Sequence, residues 1–405
     1  MPGFPADRSS SLLSGIRVLE LGGHTSAPFC GKLLAQYGAE VVKIEPPGTG
    51  DPARSQGPFA GDDPNPEKSL PFLYLNTGKR SITLDIKTAT GRSLLRELLK
   101  DTDILVENHS PADSEALGLD YGTLARISPG IIAASITPFG LTGPYRDYPA
   151  TDIGVFAYSG HLYHSGDSDR EPLRNALDQS WYIAGANAAT AILAALFRRL
   201  NSGRGQQVEV SAVECLATHL VQAVPYFNYM GAIKGRRPVR GSGFEELMPA
   251  RDGYVVPSVQ GSQPWSVVSD LIGLEELKDE KFATGSGRIE HGEELRELLV
   301  KGLAEWDRMP LFEASGERRL VFGMAQDAGD VFDCPHLEAR EFFEQLDHPV
   351  AGAALYPGMG PKLSSAFDSE NAPAPLLGQH NREILGGRLG VTDVELVSLR
   401  ASGII

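Results

Sequence analysis

Residues 16–48 place the tightest limit on what this chain can fold into. IRVLELGG is an apolar run ending in paired glycines. HTSAPFCGKLLAQYGA has helical character with Ser26 and Pro28 near its start, and EVVKIEPPG is a second apolar run stopped by Pro46 and Pro47. Strand, glycine turn, helix and strand within about 30 residues make a βαβ unit, which requires a parallel sheet. A helix opening directly after glycines also leaves N–H groups free to meet an anion such as a phosphate. The turn is not GxGxxG, so alone it reads as a plain βαβ turn before it reads as a phosphate cradle.

The alternation continues to about residue 145. KRSITLDIK reads as a strand, ATGRSLLRELLKDT as a helix, DILVEN as a strand, YGTLARIS as a helix and GIIAASITPFG as a strand. An Ala-rich helix follows from 183 to about 200, of the kind buried among close neighbours. GRGQQVEVSAVECLATHL then supplies a strand and a helix. This pattern gives an α/β fold, a large domain beginning with residues 1–224. Short strands, a basic run and helices set 225–330 apart as a small domain, and 331–405 returns to the large one. A chain of 405 residues suits two cores.

Composition excludes some roles. With a net charge of −15, a broad nucleic-acid or anionic-membrane surface is not expected. The N-terminal MPGFPADRSSSLLSG lacks the apolar core of a signal peptide, and no run of ~20 apolar residues stands out as a bilayer span. Cys30, Cys215 and Cys334 fit no metal or disulfide spacing, so a reduced, cytoplasmic setting is expected. His161 and His164 in HLYH have no third ligand nearby and read as surface or core histidines; no metal is expected. KGRRPVRGSG is either a glycine loop over an active site or a solvated hairpin.

Seven stretches in register resemble the family III CoA-transferases, the group that includes formyl-CoA transferase, carnitine CoA-transferase and α-methylacyl-CoA racemase. They are GIRVLELGGHTSAPFCGKLLAQYGAEVVKIEPPGTGDPAR, NTGKRSITLDIKTATG, DILVENHSPADSEALGLDY, ITPFGLTGPY, GRGQQVEVS, CPHLEAREFF and PAPLLGQHNREIL. The resemblance implies a Rossmann-like large domain plus a small α+β domain, and two chains threaded as an interlocked dimer. CoA would lie near the first βα turn as a substrate, with no tightly bound cofactor. Its expected contacts here are His24, Thr25 and Ser26, then Leu84, Asp85 and Lys87 of LDIK, and Asn108, His109 and Ser110. The diphosphate and 3′-phosphate of CoA want N–H groups and cations, and Lys87 is the best-placed cation.

In transferases of this family an aspartate at the start of the Ala-rich helix is the nucleophile, forming acyl and then CoA adducts. The family spacing places it four residues before a glycine and eleven before the ILAAL-like segment. Gly185 and Ile192 are those landmarks, and both counts reach Trp181. Asp178 lies three residues earlier. It is either a displaced nucleophile or the N-cap of the helix. Ala116 stands where the family often has an Arg, and EPPG follows the first βαβ unit where formyl-CoA transferase is basic. The DQSWYIAG stretch resembles non-catalytic chains of heteromeric transferases such as succinyl-CoA:benzylsuccinate CoA-transferase. That resemblance implies an Asp-bearing homologous partner, in a heterodimer or heterotetramer, with succinyl-CoA as donor and a benzylsuccinate-like acid as acceptor. A self-sufficient homodimer using Asp178 is the alternative. Racemisation would need a histidine at Thr151, before Asp152, and is disfavoured. Asp152 is expected to orient its loop or cap a helix.

Overall fold

A computed structural model describes residues 11–236, 247–258, 265–364 and 371–405. The chain forms two compact units, one of 1–163, 174–233 and 342–405, the other of 164–173 and 234–341. The second unit therefore starts and ends later than the expected 225–330, because the helix Ala223–Met230 belongs with the first, and it recruits the separate stretch 164–173.

The first unit is built on six parallel strands: β1 (Arg17–Glu20), β2 (Glu40–Glu45), β3 (Arg80–Thr83), β4 (Ile104–Glu107), β5 (Ile132–Thr137) and β6 (Gln206–Ser211). Their order is β3-β2-β1-β4-β5-β6, a doubly wound sheet whose direction of progression reverses between β1 and β4. Both faces are covered, so successive residues go to opposite cores. Val18, Val41, Ile104 and Val106 join the core under the helices Ser26–Gln36 and Gln179–Ser202. Leu19, Val42 and Leu105 join the other core, under the helix Ala89–Leu99 and the chain's C-terminal segment. That is why these strands read as near-continuous apolar runs rather than as an alternation.

The helix Gln179–Ser202 starts four residues before the expected 183. By length and composition it could cross a membrane, with a mean hydropathy of 1.4, contrary to the expectation from run length. Here one face is buried instead, with Ala184, Ala188, Ile192 and Ala195 in the core. It lies close to the helix Ser26–Gln36 because Gly185 has no side chain. A Cβ there would stand 2.6 Å from the Ser26 carbonyl oxygen and 3.3 Å from Phe29.

The C-terminal segment returns to the edge strand. Asn381 accepts the Thr83 N–H at 2.8 Å and donates to Thr83 Oγ1 at 2.8 Å. The Asp85 N–H donates to the Ile404 carbonyl at 2.8 Å. A hairpin of β10 (Phe343–His348) and β11 (Gly352–Pro357) also belongs to this unit. The second unit carries an antiparallel sheet of β7 (Met248–Ala250), β8 (Gly253–Ser258) and β9 (Val321–Met324). Its core gathers Met248, Val255, Val268, Leu295, Leu299 and Phe322. Most of the basic run 234–243 lies outside the described residues.

Charges are buried beneath the first turn. Lys32, on the helix Ser26–Gln36, donates to the Tyr74 carbonyl and to Thr77 Oγ1, with no carboxylate in contact among the described residues. Burial pushes its pKa from 10.5 down to about 7. In that window the unfolded chain binds more protons than the folded one, so this lysine makes stability rise with pH from about 7 toward 10.5.

Two outcomes are expected. Gly185→Ala should cost about 1–3 kcal/mol in urea unfolding by forcing the two helices apart. Lys32→Met should flatten the rise in stability across the alkaline window relative to the parent chain, measured by denaturation at several pH values.

Candidate active site

The functional side chains gather where the sheet changes direction, at the C-terminal ends of β1 and β4. Leu21–Ser26 leave β1 as an open turn, and each part of it is tied down from elsewhere. Asn108, just past β4, accepts the Gly23 N–H at 3.0 Å. The same amide donates to the Gly23 carbonyl at 2.9 Å and to Ser26 Oγ at 3.1 Å. Asp51 accepts the N–H of His24 at 2.9 Å, which holds that residue at φ 60°. Lys43 donates to the Gly22 carbonyl and to Glu20, both at 2.8 Å, and lies 2.6 Å from Asp51. Gly22 must be glycine, since a Cβ would meet Ala27 at 2.3 Å and Asn108 at 2.7 Å.

Glu20, Lys43 and Asp51 are withdrawn from water, with Lys79 pairing to Glu20 at 2.8 Å. Burial raises the Asp51 pKa, but Lys43 and the Ala53 and His24 N–H groups outweigh it and hold the carboxyl below its usual range. Breaking such a group by removing one partner leaves an uncompensated buried charge. The network therefore fixes the turn. The first N–H groups of the helix Ser26–Gln36 lack intrahelical acceptors, and Pro28 contributes none.

Two cavities flank this turn. The first, of about 630 Å³, is lined by Gly22–His24, Lys43, Pro46, Pro47, Leu84–Lys87, Asn108, His109 and Gly403. The second, of about 540 Å³, is lined by His24–Ser26, Asn108–Pro111, Arg146–Thr151, Asp178 and Trp181. His24, Asn108 and His109 line both. The residues expected from sequence are thus brought together: Leu84, Asp85 and Lys87 in the first cavity, Thr25, Ser26 and Ser110 in the second. Leu84 is buried at its wall, and Lys87 is exposed. Pro46 and Pro47 form wall where a basic side chain could have stood.

Asp178 and Trp181 share the second cavity. Trp181 is half-buried, its ring against the core between sheet and helix. Asp178 is exposed and sits at φ 52° before the helix. The N-cap expected of its side chain does not form; only its carbonyl is used, accepting the Trp181 N–H at 3.1 Å. A different acid secures the helix start. Asp152 accepts the Ser180 N–H at 2.9 Å, while Thr151 caps Asp152's own helix, Asp152–Tyr158. The position that racemisation would need as a histidine is thereby a capping threonine.

Several side chains at the site have no signature in the sequence: Asp51, Lys43, and Glu107, which is bound to His109. Arg146, also in the second cavity, is held by Glu115 at 2.7 Å and by Asp147 at 3.3 Å. His161 stacks on Phe156 with its Nε2 2.9 Å from the Leu216 carbonyl. Among the described residues no group of three or more His, Cys, Asp or Glu side chains could hold a metal.

The profile of CoA-transferase family III matches residues 13–381. The chain belongs to CoA-transferase family III. Over 397 residues it is 32% identical to a succinyl-CoA–D-citramalate CoA-transferase of Chloroflexus aurantiacus, covering 97% of this chain and 98% of that one. It is 30% identical to a succinate–glutarate CoA-transferase of Agrobacterium fabrum, covering 92% and 94%. It is 32% identical to a subunit of succinyl-CoA:(R)-benzylsuccinate CoA-transferase of Thauera aromatica, covering 92% and 93%. The crystal structure of a CaiB/BaiF family protein from Brucella suis matches with a TM-score of 0.85 at 28% identity, covering 94% of this chain and all of that one. This family III chain is accordingly a CoA-transferase in fold and in reaction class, with CoA thioesters as substrates.

Asn108→Ala removes three hydrogen bonds from the turn that separates the cavities. Calorimetric titration of this variant with CoA should show affinity falling by at least about tenfold while the circular dichroism spectrum is retained.

Proposed function

We propose that this chain moves CoA from succinyl-CoA to a second carboxylic acid, as the member of a heteromeric enzyme that lacks the nucleophilic aspartate. The observation that carries the reading is the half-buried Trp181 in the second cavity, with Asp178, a helix-start carboxylate lining the same cavity, exposed three residues earlier. An indole cannot attack a thioester. A homologous partner chain would then carry the reactive carboxylate.

On that partner the exchange balances as follows. The carboxylate attacks the thioester carbonyl, giving an acyl-aspartyl anhydride and releasing CoA thiolate. The thiolate attacks the aspartyl carbonyl, freeing the donor acid and leaving an aspartyl-CoA thioester. The acceptor carboxylate displaces the thiolate to form a second anhydride, and the thiolate takes up the new acyl group. This chain's share is to hold CoA at the β1 turn and complete the assembly.

Succinyl-CoA as donor is supported by its recurrence in the names of the relatives, and a benzylsuccinate-like acceptor by the Thauera subunit. A partner chain is supported by the exposed apolar residues of the helix Ala223–Met230, among them Tyr226, Phe227, Tyr229 and Met230. The assembly is an interlocked pair and the setting cytoplasmic in this reading. One observation favours a second reading: Asp178 does line the same cavity as Trp181, which suits a homodimer that uses it.

Purified alone, the chain should exchange no CoA between succinyl-CoA and benzylsuccinate or glutarate, and exchange should appear on adding an Asp-bearing homologue encoded beside it. Turnover by the unaccompanied chain that Asp178→Asn abolishes would select the homodimer instead.

A further inference from the structure

The cleft that is to receive CoA is short of available cations. Lys43 is consumed by Glu20 and Asp51, and Arg146 by Glu115 and Asp147. The first cavity also holds Glu45, bound to Arg54, with Asp51, Asp85 and Asp113, and the second holds Asp147 and Asp178. Lys87 is exposed at the first cavity, and His24 Nδ1 is 3.3 Å from the Gln56 amide. A ligand bearing a diphosphate would find few cations here that are not already paired with a carboxylate.

His109 stands at the neck, lining both cavities, and its ring is not loose. Glu107 Oε2 accepts the His109 backbone N–H at 2.8 Å and lies 3.2 Å from the ring Nδ1. Glu107 itself is 1% exposed, and its Oε1 has no hydrogen-bond partner. A buried carboxylate calls for a counter-charge, and among the described residues the ring of His109 is the one side chain in contact with it that can carry one, when protonated. With Nδ1–H directed at Glu107, Nε2 has no hydrogen-bond partner among the described residues.

We propose that Glu107 and His109 form a proton-binding pair that supplies the missing cation to the diphosphate of CoA: Glu107 positions and charge-balances the ring, and Nε2–H donates to a diphosphate oxygen. The proposal rests on the reading of these cavities as the CoA site and adds a role for two of its residues. When CoA binds, the pair takes up from solvent whatever fraction of a proton Nε2 lacked, the buffer losing the same fraction, and no bond in CoA changes. The pair sits where the nucleotide end of CoA must give way to its pantetheine arm, since the turn at His24 and Asn108 divides the cleft there.

The test is calorimetric titration of the purified chain at pH 8, in buffers of different ionisation enthalpy, with CoA, dephospho-CoA and pantetheine. CoA and dephospho-CoA, which both carry the diphosphate, should bind with uptake of a fraction of a proton, and pantetheine with none. His109→Phe should abolish the uptake and weaken both nucleotides about tenfold, as for loss of one charge-assisted hydrogen bond. Glu107→Gln should act in the same direction, and ¹⁵N spectra should show the His109 Nδ1–H signature lost. His109→Phe replaces a half-exposed ring and keeps the test valid if Glu107→Gln does not fold. Equal proton uptake by the parent and His109→Phe would overturn the pair while leaving the CoA site standing. Uptake with CoA but not dephospho-CoA would also overturn it, by moving the contact to the 3′-phosphate. Failure of CoA to bind at all would remove the site reading and the pair together.

Discussion

The carboxamide of Asn108 holds both the N–H and the carbonyl of Gly23 across 85 residues of sequence, and the shape of the candidate cleft hangs on that pair of hydrogen bonds. Without it the stretch after β1 would be a short glycine loop with several accessible shapes. With it, and with Asp51 and Lys43 behind, the stretch has one shape, a ridge with a cavity on either side. The restraint works because its partners sit on adjacent parallel strands, β1 and β4, whose pairing is set by Leu19 opposite Leu105. Sheet order, turn and cleft are one chain of cause: the progression reverses between these two strands, the crevice opens there, and the side chains beyond their ends line it.

Much of this was legible in the sequence, for a definite reason. Parallel strands buried on both faces produce apolar runs, and runs such as IAASIT or ILVE are read directly. The residues expected to face CoA are short-range features of the turns after β1, β3 and β4, so the fold delivers them together. The ionic group under the turn was not legible. Lys43 looks like any strand lysine, and Asp51 like a loop acid before a proline. Only the register of β2 beside β1 sets Lys43 opposite Glu20, and only the folded loop beyond β2 brings Asp51 to Lys43 and to the His24 N–H. The same holds for Asp152, whose partner Ser180 lies 28 residues on. The expected N-cap at Asp178 failed because its backbone enters the left-handed region, while Asp152 already occupies the Ser180 amide from another element.

The two cavities have different characters. The first is built around glycines, prolines and a strand end, with backbone and fixed charge beneath it. The second is walled by side chains of the 146–151 loop and by Trp181. The relatives differ in the acids they handle, which range from D-citramalate to glutarate to benzylsuccinate in their names. A cavity of fixed backbone and paired charge beside one walled by exchangeable side chains is an arrangement in which the second wall can change without disturbing the turn.

The closure of β3 by the C-terminal segment bears on how the molecule comes into being. Gly403 forms part of the first cavity's wall, and Asn381 reaches back 298 residues to Thr83. During synthesis the early strands can pair and the turn can form, yet that wall stays open until Gly403 has left the ribosome. A nascent chain would therefore expose the edge of β3 and the apolar bed of Ile384 and Leu385 for most of its time on the ribosome. Ligand capture would be among the last properties it acquires.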